Sequence, residues 1–437
     1  MAEVRPFKGL LYDKNKVDDY ASVVAPPYDV ISDAERDALY GASDYNIIRL
    51  TLGKASEGDN DSDNKYIRAR KALDQWQQQG VLSADENESY YVYAQEYEYK
   101  GKKHSRIGFL GLMKIVDPGK DTILPHEYTL SKPKEDRMNL IKQVEGNLSP
   151  IFTLFADESG EVKAELDKCA AAGDPLVDVE LAGVRHKLWK LSDGVSAGKI
   201  SSAMASEKIF IADGHHRYEV ARTYRNARRE ENGYSGSADH ILMYFTGMEE
   251  DNDLTVMATH RAIKVMPEGD AEATLGKYFD ISDCGDLDML VEKLEGDGST
   301  ENVFGFLSGG KYLLLTPKAE ADITALITED KTGDWKRLDV SVLHAAVLDV
   351  ILSGGNKEGN ITYLKNPEDA EALVLDGSHQ AAFLLNPTRV DQLKAVAEHC
   401  EMMPQKSTYF YPKLLTGLVV NRFETSDSKS EEKEVCS

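Results

Sequence analysis

In IFIADGHHRYEVARTYR, residues 209 to 225, a carboxylate, a glycine, two adjacent histidines and an arginine occupy Asp213 to Arg217 in unbroken order. Ile209 to Ala212 make an apolar run suited to a buried strand, and Val220, Ala221, Tyr224 and Ala227 recur at helical spacing after Arg217. DGHH therefore reads as a turn from strand to helix. Gly214 permits a tight turn, and the first N–H groups of a helix lack intrahelical partners, which makes the spot receptive to an anion. His215, His216 and Arg217 add side-chain donors there, and a guanidinium can grip phosphate through two hydrogen bonds. Three readings of the histidine pair stay open. They are a metal site, which would need further ligands at suitable spacing; a structural tie to backbone carbonyls; and phosphate binding with Asp213 as a nearby base.

A second concentration of charge lies in LPHEYTLSKPKEDRMNLIKQVEGNLSPIFTLFAD, residues 124 to 157, where His126, Glu127, Lys132, Lys134, Asp136 and Arg137 crowd together. A solvated loop is the plain reading of such charge. Phosphoryl transfer also calls for this mixture, because one carboxylate must position a nucleophile while cations neutralise phosphate. Lys406, in QKSTYFYPKLLTGLVV (405 to 420), is a further candidate cation on a turn that leads into a last strand.

The elements that must position these groups emerge from periodicity. Val23 to Ala25 reads as a strand, Ser32 with Glu35 as a capping box opening a short helix, and Asn46 to Leu50 as strand again. Ile67, Ala69, Leu73 and Trp76 mark a helix over 66–79 that ends at Gly80. Residues 89 to 115 read as a β-hairpin turning at Lys100-Gly101, its tyrosines forming a sheet face. The charged segment is expected to be irregular up to Asp136, then helical, then a buried strand from Pro150 to Phe155. Farther on come strands near 259 and at 310–317, and a buried helix at 341–352 with His344 in its core. A strand and an amphipathic helix carrying Val390, Leu393, Val396 and Ala397 come next. A boundary near 265 would give regions 1–265 and 266–424, with a disordered tail at 425–437.

Composition narrows the function classes. The chain has 437 residues, 41% of them hydrophobic, enough for packed cores. With 75 acidic against 51 basic residues, the net charge of −24 opposes binding to nucleic acid or anionic lipid. No apolar window is long enough to span a bilayer and the N-terminus lacks a secretory pattern, so a cytoplasmic address and no membrane partner are expected. The cysteines at 169, 284, 400 and 436 form no metal or disulfide pattern and read as free thiols. No metal-ligating set is assigned.

DGHHR with its flanking strand and helix resembles the nucleotide-binding box of the ParB/sulfiredoxin superfamily. The chain as a whole resembles the SerK-like family, domain of unknown function 1015. The matching stretches are APPYDVI (25–31), NIIRL (46–50), PHE (125–127), PKEDR (133–137), NLSPIF (147–152), ADGHHRYEVA (212–221), THR (259–261) and MPQKSTYFYPKLLTGLV (403–419). The resemblance implies an α+β fold, with a ParB/sulfiredoxin-like nucleotide-binding core and large α/β additions. It implies a kinase that phosphorylates free serine or a similar hydroxy metabolite with ATP or ADP and Mg²⁺. Sulfiredoxins need a cysteine where His215 stands, and ParB-type CTPases carry GERR and a helix-turn-helix, so neither of those activities fits. By the same resemblance Glu127 and Asp213 would be catalytic, and Gly214, His215, His216, Arg217, Arg137, Lys134 and Lys406 would hold nucleotide. Partners would be a nucleotide and a small-molecule acceptor, with a homo-oligomer left open. A nucleotide-binding regulator with little turnover is the alternative, and no Walker A or protein-kinase signature points elsewhere.

Overall fold

The computed structural model describes residues 1–17, 19–117, 122–129, 131–233, 236–249, 252–296, 302–353 and 359–424. The tail read from composition as disordered lies outside them. The chain divides by packing into two mixed α/β units. One comprises Met1–Leu124, Thr129–Leu254 and the chain from Pro412 on; the other comprises Pro125–Tyr128 and Thr255–Tyr411. This partition differs from the sequence-based one near 265. The strand His260–Ile263 pairs within the second unit, and the segment after Pro412 packs with the first.

A nine-stranded mixed sheet organises the first unit. In chain order its strands are β1 (Val4–Arg5), β2 (Tyr90–Tyr99), β3 (Lys102–Lys114), β4 (Ile123–Leu124), β5 (Ile151–Phe155), β6 (Val177–Leu181), β7 (Val184–Leu191), β8 (Ile209–Asp213) and β9 (His240–Gly247). They lie in the order β4-β8-β5-β9-β3-β2-β7-β6, with β1 against β3. β8 runs parallel to β4 and antiparallel to β5, and β5 runs parallel to β9. β2 and β3 form the hairpin read from the sequence, with Lys100 and Gly101 at φ 50° and 71°, the left-handed pair that suits a two-residue hairpin turn. Tyr90, Tyr91, Tyr93 and Tyr97 on β2 are all buried, so both faces of this part of the sheet are covered. β5 is buried throughout, as is β8 up to Ala212, which is why both read as continuous apolar runs.

Three helices of this unit pack in a row: α1 (Lys65–Gln78), α2 (Ser131–Val144) and α3 (His215–Asn232), with α2 against both others. α1 is capped by Asn64, whose side chain accepts the Tyr66 and Ile67 N–H groups, and it buries Ala69, Leu73 and Trp76 as the spacing predicts. The Ser32–Glu35 capping box is present. Elsewhere local reading failed. Residues 23–25 contribute only a β-bridge from Ala25 to Thr416. Ile48–Thr51 is a short helix where strand was expected, because the buried Asn46 side chain accepts the Ile48 N–H and donates to the Ser22 and Val24 carbonyls. α2 starts at Ser131, ahead of the expected Asp136, since Pro133 falls in the first turn, where a missing N–H breaks no helical bond.

The second unit holds a six-stranded antiparallel sheet. Its strands are β10 (His260–Ile263), β11 (Phe279–Asp283), β12 (Phe304–Ser308), β13 (Lys311–Pro317), β14 (Ile361–Leu364) and β15 (Ala381–Leu384), ordered β11-β13-β12-β15-β10-β14. Leu287, Leu290 and Leu294 of one helix pack with Leu307, Leu314 and Leu384 beneath it. The buried helix read at 341–352 is wound with π-type bonding over Val342–Ile351.

Candidate functional site

β8 loses register with β5 between Ile211, opposite Thr153, and Asp213, opposite Phe152. A bulge of this kind re-aims the next side chain. Gly214 comes next at φ 96°, in the left-handed region, and α3 opens directly at His215 with no side-chain cap. The glycine is needed twice over. Its φ disfavours any L side chain, and an added Cβ would stand 2.9 Å from Arg217 Nη2 and 3.0 Å from Arg217 Cζ. The guanidinium thus folds back over the turn. It bonds the Pro150 carbonyl through Nη1 and lies 2.8 Å from Asp213 Oδ2 through Nη2.

The other carboxylate oxygen of Asp213 is taken by Lys413, whose ammonium donates to Oδ1. The three side chains are only 12–17% exposed. Burial pushes the Asp213 carboxyl up, but Lys413 and Arg217, with a smaller contribution from His215, more than reverse this and hold it well below the usual carboxylate range. The crevice at this point, too tight in this structure to hold a water molecule, is lined by Pro27, Pro150, Phe152, Leu414 and Thr416 besides the charged triad.

Lys413 is presented by a backbone the sheet holds in place. Arg106, fully buried on β3, donates to Gln95 Oε1 and to the Pro412 carbonyl, and its guanidinium stacks 4.6 Å from the Phe152 ring centroid. Gln95 donates in turn to the Lys413 carbonyl at 3.0 Å. The Leu415 N–H donates to Tyr93 Oη, which lies 2.7 Å from His186 Nδ1. The His186 imidazole is neutral, its pKa lowered to about 3 by burial and then by Arg106. The sequence reading passed over Lys413 in favour of Lys406. The one local signal was the YPK triplet, in which Pro412 denies the chain a helix and leaves a lysine to be aimed by its neighbours.

Beside this crevice, and sharing Arg217 with it, opens a shallow cleft of about 60 Å³. Tyr28, Arg137, Asn147 and Ser149 are among its walls. Arg137 stacks 3.9 Å from the Tyr28 ring centroid, bonds Asp136 and donates to the Thr51 carbonyl at 2.9 Å. Burial would raise the Asp136 carboxyl, but Arg137, Lys65 and Tyr66 bring it down to about 2. Lys134 is engaged with Glu219 of α3 at 2.9 Å, an oxygen that Thr129 also bonds, so it ties α2 to α3.

Asp213, Gly214, His215, His216, Arg217, Arg137 and Lys134 thus all belong to the first unit, and Glu127 and Lys406 to the second. Glu127 makes a parallel bridge with Met403, and the neighbouring His126 carbonyl accepts the Met403 N–H at 2.7 Å. Lys406 is exposed, at φ 57°, and its carbonyl accepts from Arg261, a fully buried arginine whose pKa burial lowers to about 10. His344, placed in the core by its spacing, lies 3.2 Å from Arg261 Nε. Among the described residues no group of His, Cys, Asp or Glu is arranged to hold a metal, and no helix is long and apolar enough to cross a membrane.

A family model described as a protein of unknown function, DUF1015, matches residues 4–341. The chain belongs to that family. Lys413, like Lys406, lies beyond the stretch by which DUF1015 is recognised. None of the curated proteins compared with it matches the chain. Among solved structures it is similar to a free serine kinase variant in complex with AMP (14% identity, 68% of this chain and 86% of that one, TM-score 0.34). Another variant of a free serine kinase, in complex with ADP, matches at 13% identity over 70% and 89% with TM-score 0.35. A C-terminally truncated SbnI from Staphylococcus aureus matches at 12% over 74% and 94%, also with TM-score 0.35. Superpositions this loose carry no argument about this DUF1015 chain.

Proposed function

We propose that this protein is a nucleotide-dependent phosphotransferase that phosphorylates the hydroxyl of free serine or a similar small hydroxy metabolite. The observation that carries the reading is the convergence of Asp213, Arg217 and Lys413 at the end of a buried strand, where α3 begins. Cations at a helix N-terminus are what a polyphosphate requires, and a carboxylate among them is what a hydroxyl nucleophile requires. The adjoining cleft, with Tyr28 and Arg137 in its walls and Arg217 shared with the triad, is where the rest of the nucleotide would lie. On this reading the first unit is the ParB/sulfiredoxin-like core that the DGHHR motif suggests, and the nucleotide is ATP or ADP.

In the transfer, the acceptor oxygen attacks the terminal phosphorus and the P–O bond to the departing nucleotide breaks. The hydroxyl proton passes to Asp213. Arg217, His215, His216 and the α3 N–H groups hold the phosphate oxygens on which charge accumulates. Mg²⁺ would neutralise further charge on the phosphates. Such an ion keeps waters and takes ligands from the substrate phosphates, so Asp213 stays available as the base. Glu127 is the second carboxylate of the proposal and belongs to the other unit.

A second reading, a nucleotide-binding protein with little turnover, draws on one observation: two cations on Asp213 make it a weak base. Incubating the protein with ATP or ADP, Mg²⁺ and a panel of hydroxy metabolites separates the two. Phosphorylated product seen by mass spectrometry supports the kinase, and it should fall about a hundredfold or more in Asp213→Asn and in Glu127→Gln. Nucleotide binding with no product from any acceptor leaves the regulator.

A further inference from the structure

We infer that Lys413 is a polyphosphate-binding residue of this site and that Asp213 stands in for a phosphate group in the ligand-free protein; the inference rests on the nucleotide-binding part of the proposed function. Each carboxylate oxygen of Asp213 is held by a different cation, Oδ1 by Lys413 and Oδ2 by Arg217. Two oxygens on one centre, each met by its own donor, is also how a terminal phosphate is gripped. The His215 imidazole is the next group acting on that carboxylate, so the charges that weigh most on Asp213 are cations or potential cations.

The crevice around the triad is small, and Arg217 connects it with the larger cleft. A nucleotide lying in that cleft therefore meets Arg217 first, and its terminal phosphate reaches Lys413 by displacing Asp213. The displaced carboxylate is then free of both cations and recovers the basicity that the acceptor hydroxyl needs. Free protein and bound protein differ in which anion the same two cations hold.

The placement of Lys413 is not a chance surface contact. The carbonyls of Pro412 and Lys413 are held by Arg106 and Gln95, both buried on neighbouring strands. A little farther along the chain, Ser149 and Thr416 approach hydroxyl to hydroxyl at 3.0 Å, and Ala25 bridges to Thr416. A fixed backbone with a flexible four-carbon stem lets the ammonium change partners while the chain stays in place.

Calorimetry of the full chain with ATP, ADP and inorganic pyrophosphate tests this in wild type, Lys413→Met, Lys413→Arg and Asp213→Asn. Lys413→Met should weaken all three ligands by about tenfold or more, with Lys413→Arg restoring most of the loss. Asp213→Asn should bind pyrophosphate about tenfold more tightly while losing turnover, because the incoming anion no longer has a carboxylate to displace. Unchanged binding in a folded Lys413→Met overturns the inference and leaves the proposed kinase standing. Should Lys413→Met not fold, unchanged or weaker pyrophosphate binding in Asp213→Asn overturns it. A wild-type protein that binds none of the three ligands overturns the nucleotide-binding reading and this inference with it.

Discussion

Replacing Asp213 with asparagine keeps the shape of the side chain and removes the charge that Lys413 and Arg217 share. Both cations are about seven-eighths buried, at 12% and 13% side-chain exposure. Removing one member of a buried ion pair typically costs about 3–5 kcal/mol, because the partner stays behind without its counter-charge. Some solvent reaches this site and the lysine stem can relax, which reduces the expected loss to roughly 2–4 kcal/mol. The amide also presents N–H to one of two donors, so it cannot satisfy both. Urea unfolding at pH 7, followed by tryptophan fluorescence, measures the change; Trp76 and Trp189 report on the first unit. Adding pyrophosphate should stabilise the variant more than the wild type at equal concentration, since a ligand's stabilising effect grows with its affinity for the folded state. Asp213 does not cap α3, so without the charge argument the substitution would be almost neutral. A variant within about 0.5 kcal/mol of wild type, with or without pyrophosphate, refutes the reasoning.

Gly214→Ala should lose about 1–2 kcal/mol from its φ of 96° alone and, because the new methyl displaces the Arg217 guanidinium, should also weaken pyrophosphate binding in calorimetry. Acid should destabilise the protein through His186. Its folded pKa is about 3 against roughly 6.5 when unfolded, so between those values the unfolded chain takes up a proton that the folded protein refuses, and stability falls as pH falls through that window. At pH 5 the effect is about 2 kcal/mol, and the difference in urea stability between pH 7 and pH 5 should shrink by that amount in His186→Gln. Arg106→Met leaves Gln95 Oε1 and the Pro412 carbonyl without their buried donor, so trypsin should cut after Lys413 in the variant well before it does in wild type, as read by mass spectrometry of the fragments.

Local chemistry was enough for much of this molecule. The hairpin of β2 and β3, the strand–glycine–helix turn at DGHH and the amphipathic face of α1 could be read directly. Each is set by neighbours in sequence: a period of side chains, a residue that tolerates positive φ, a capping side chain. The reading failed where a distant group supplied what local pattern seemed to lack. Ile48–Thr51 is helical because the Asn46 amide reaches the carbonyls of Ser22 and Val24, and no window around residue 48 contains that information.

The candidate site divides in the same way. Residue types and order alone marked Asp213 to Arg217 as a strand–glycine–helix turn and a candidate anion site. They did not reveal that Arg217 turns back onto Asp213, or that the second cation is Lys413, 200 residues away. Lys413 reaches the site because Arg106, Gln95 and Tyr93, on two strands of the central sheet, hold the backbone of 412–415 by its carbonyls and amide. Lys406 satisfied the same composition rule and sits exposed in the second unit, its carbonyl tied to Arg261. A sequence specifies which side chains can bear charge and which turns the backbone can take. Which charges meet depends on hydrogen bonds between strands far apart in the chain, and only the tertiary structure sets those.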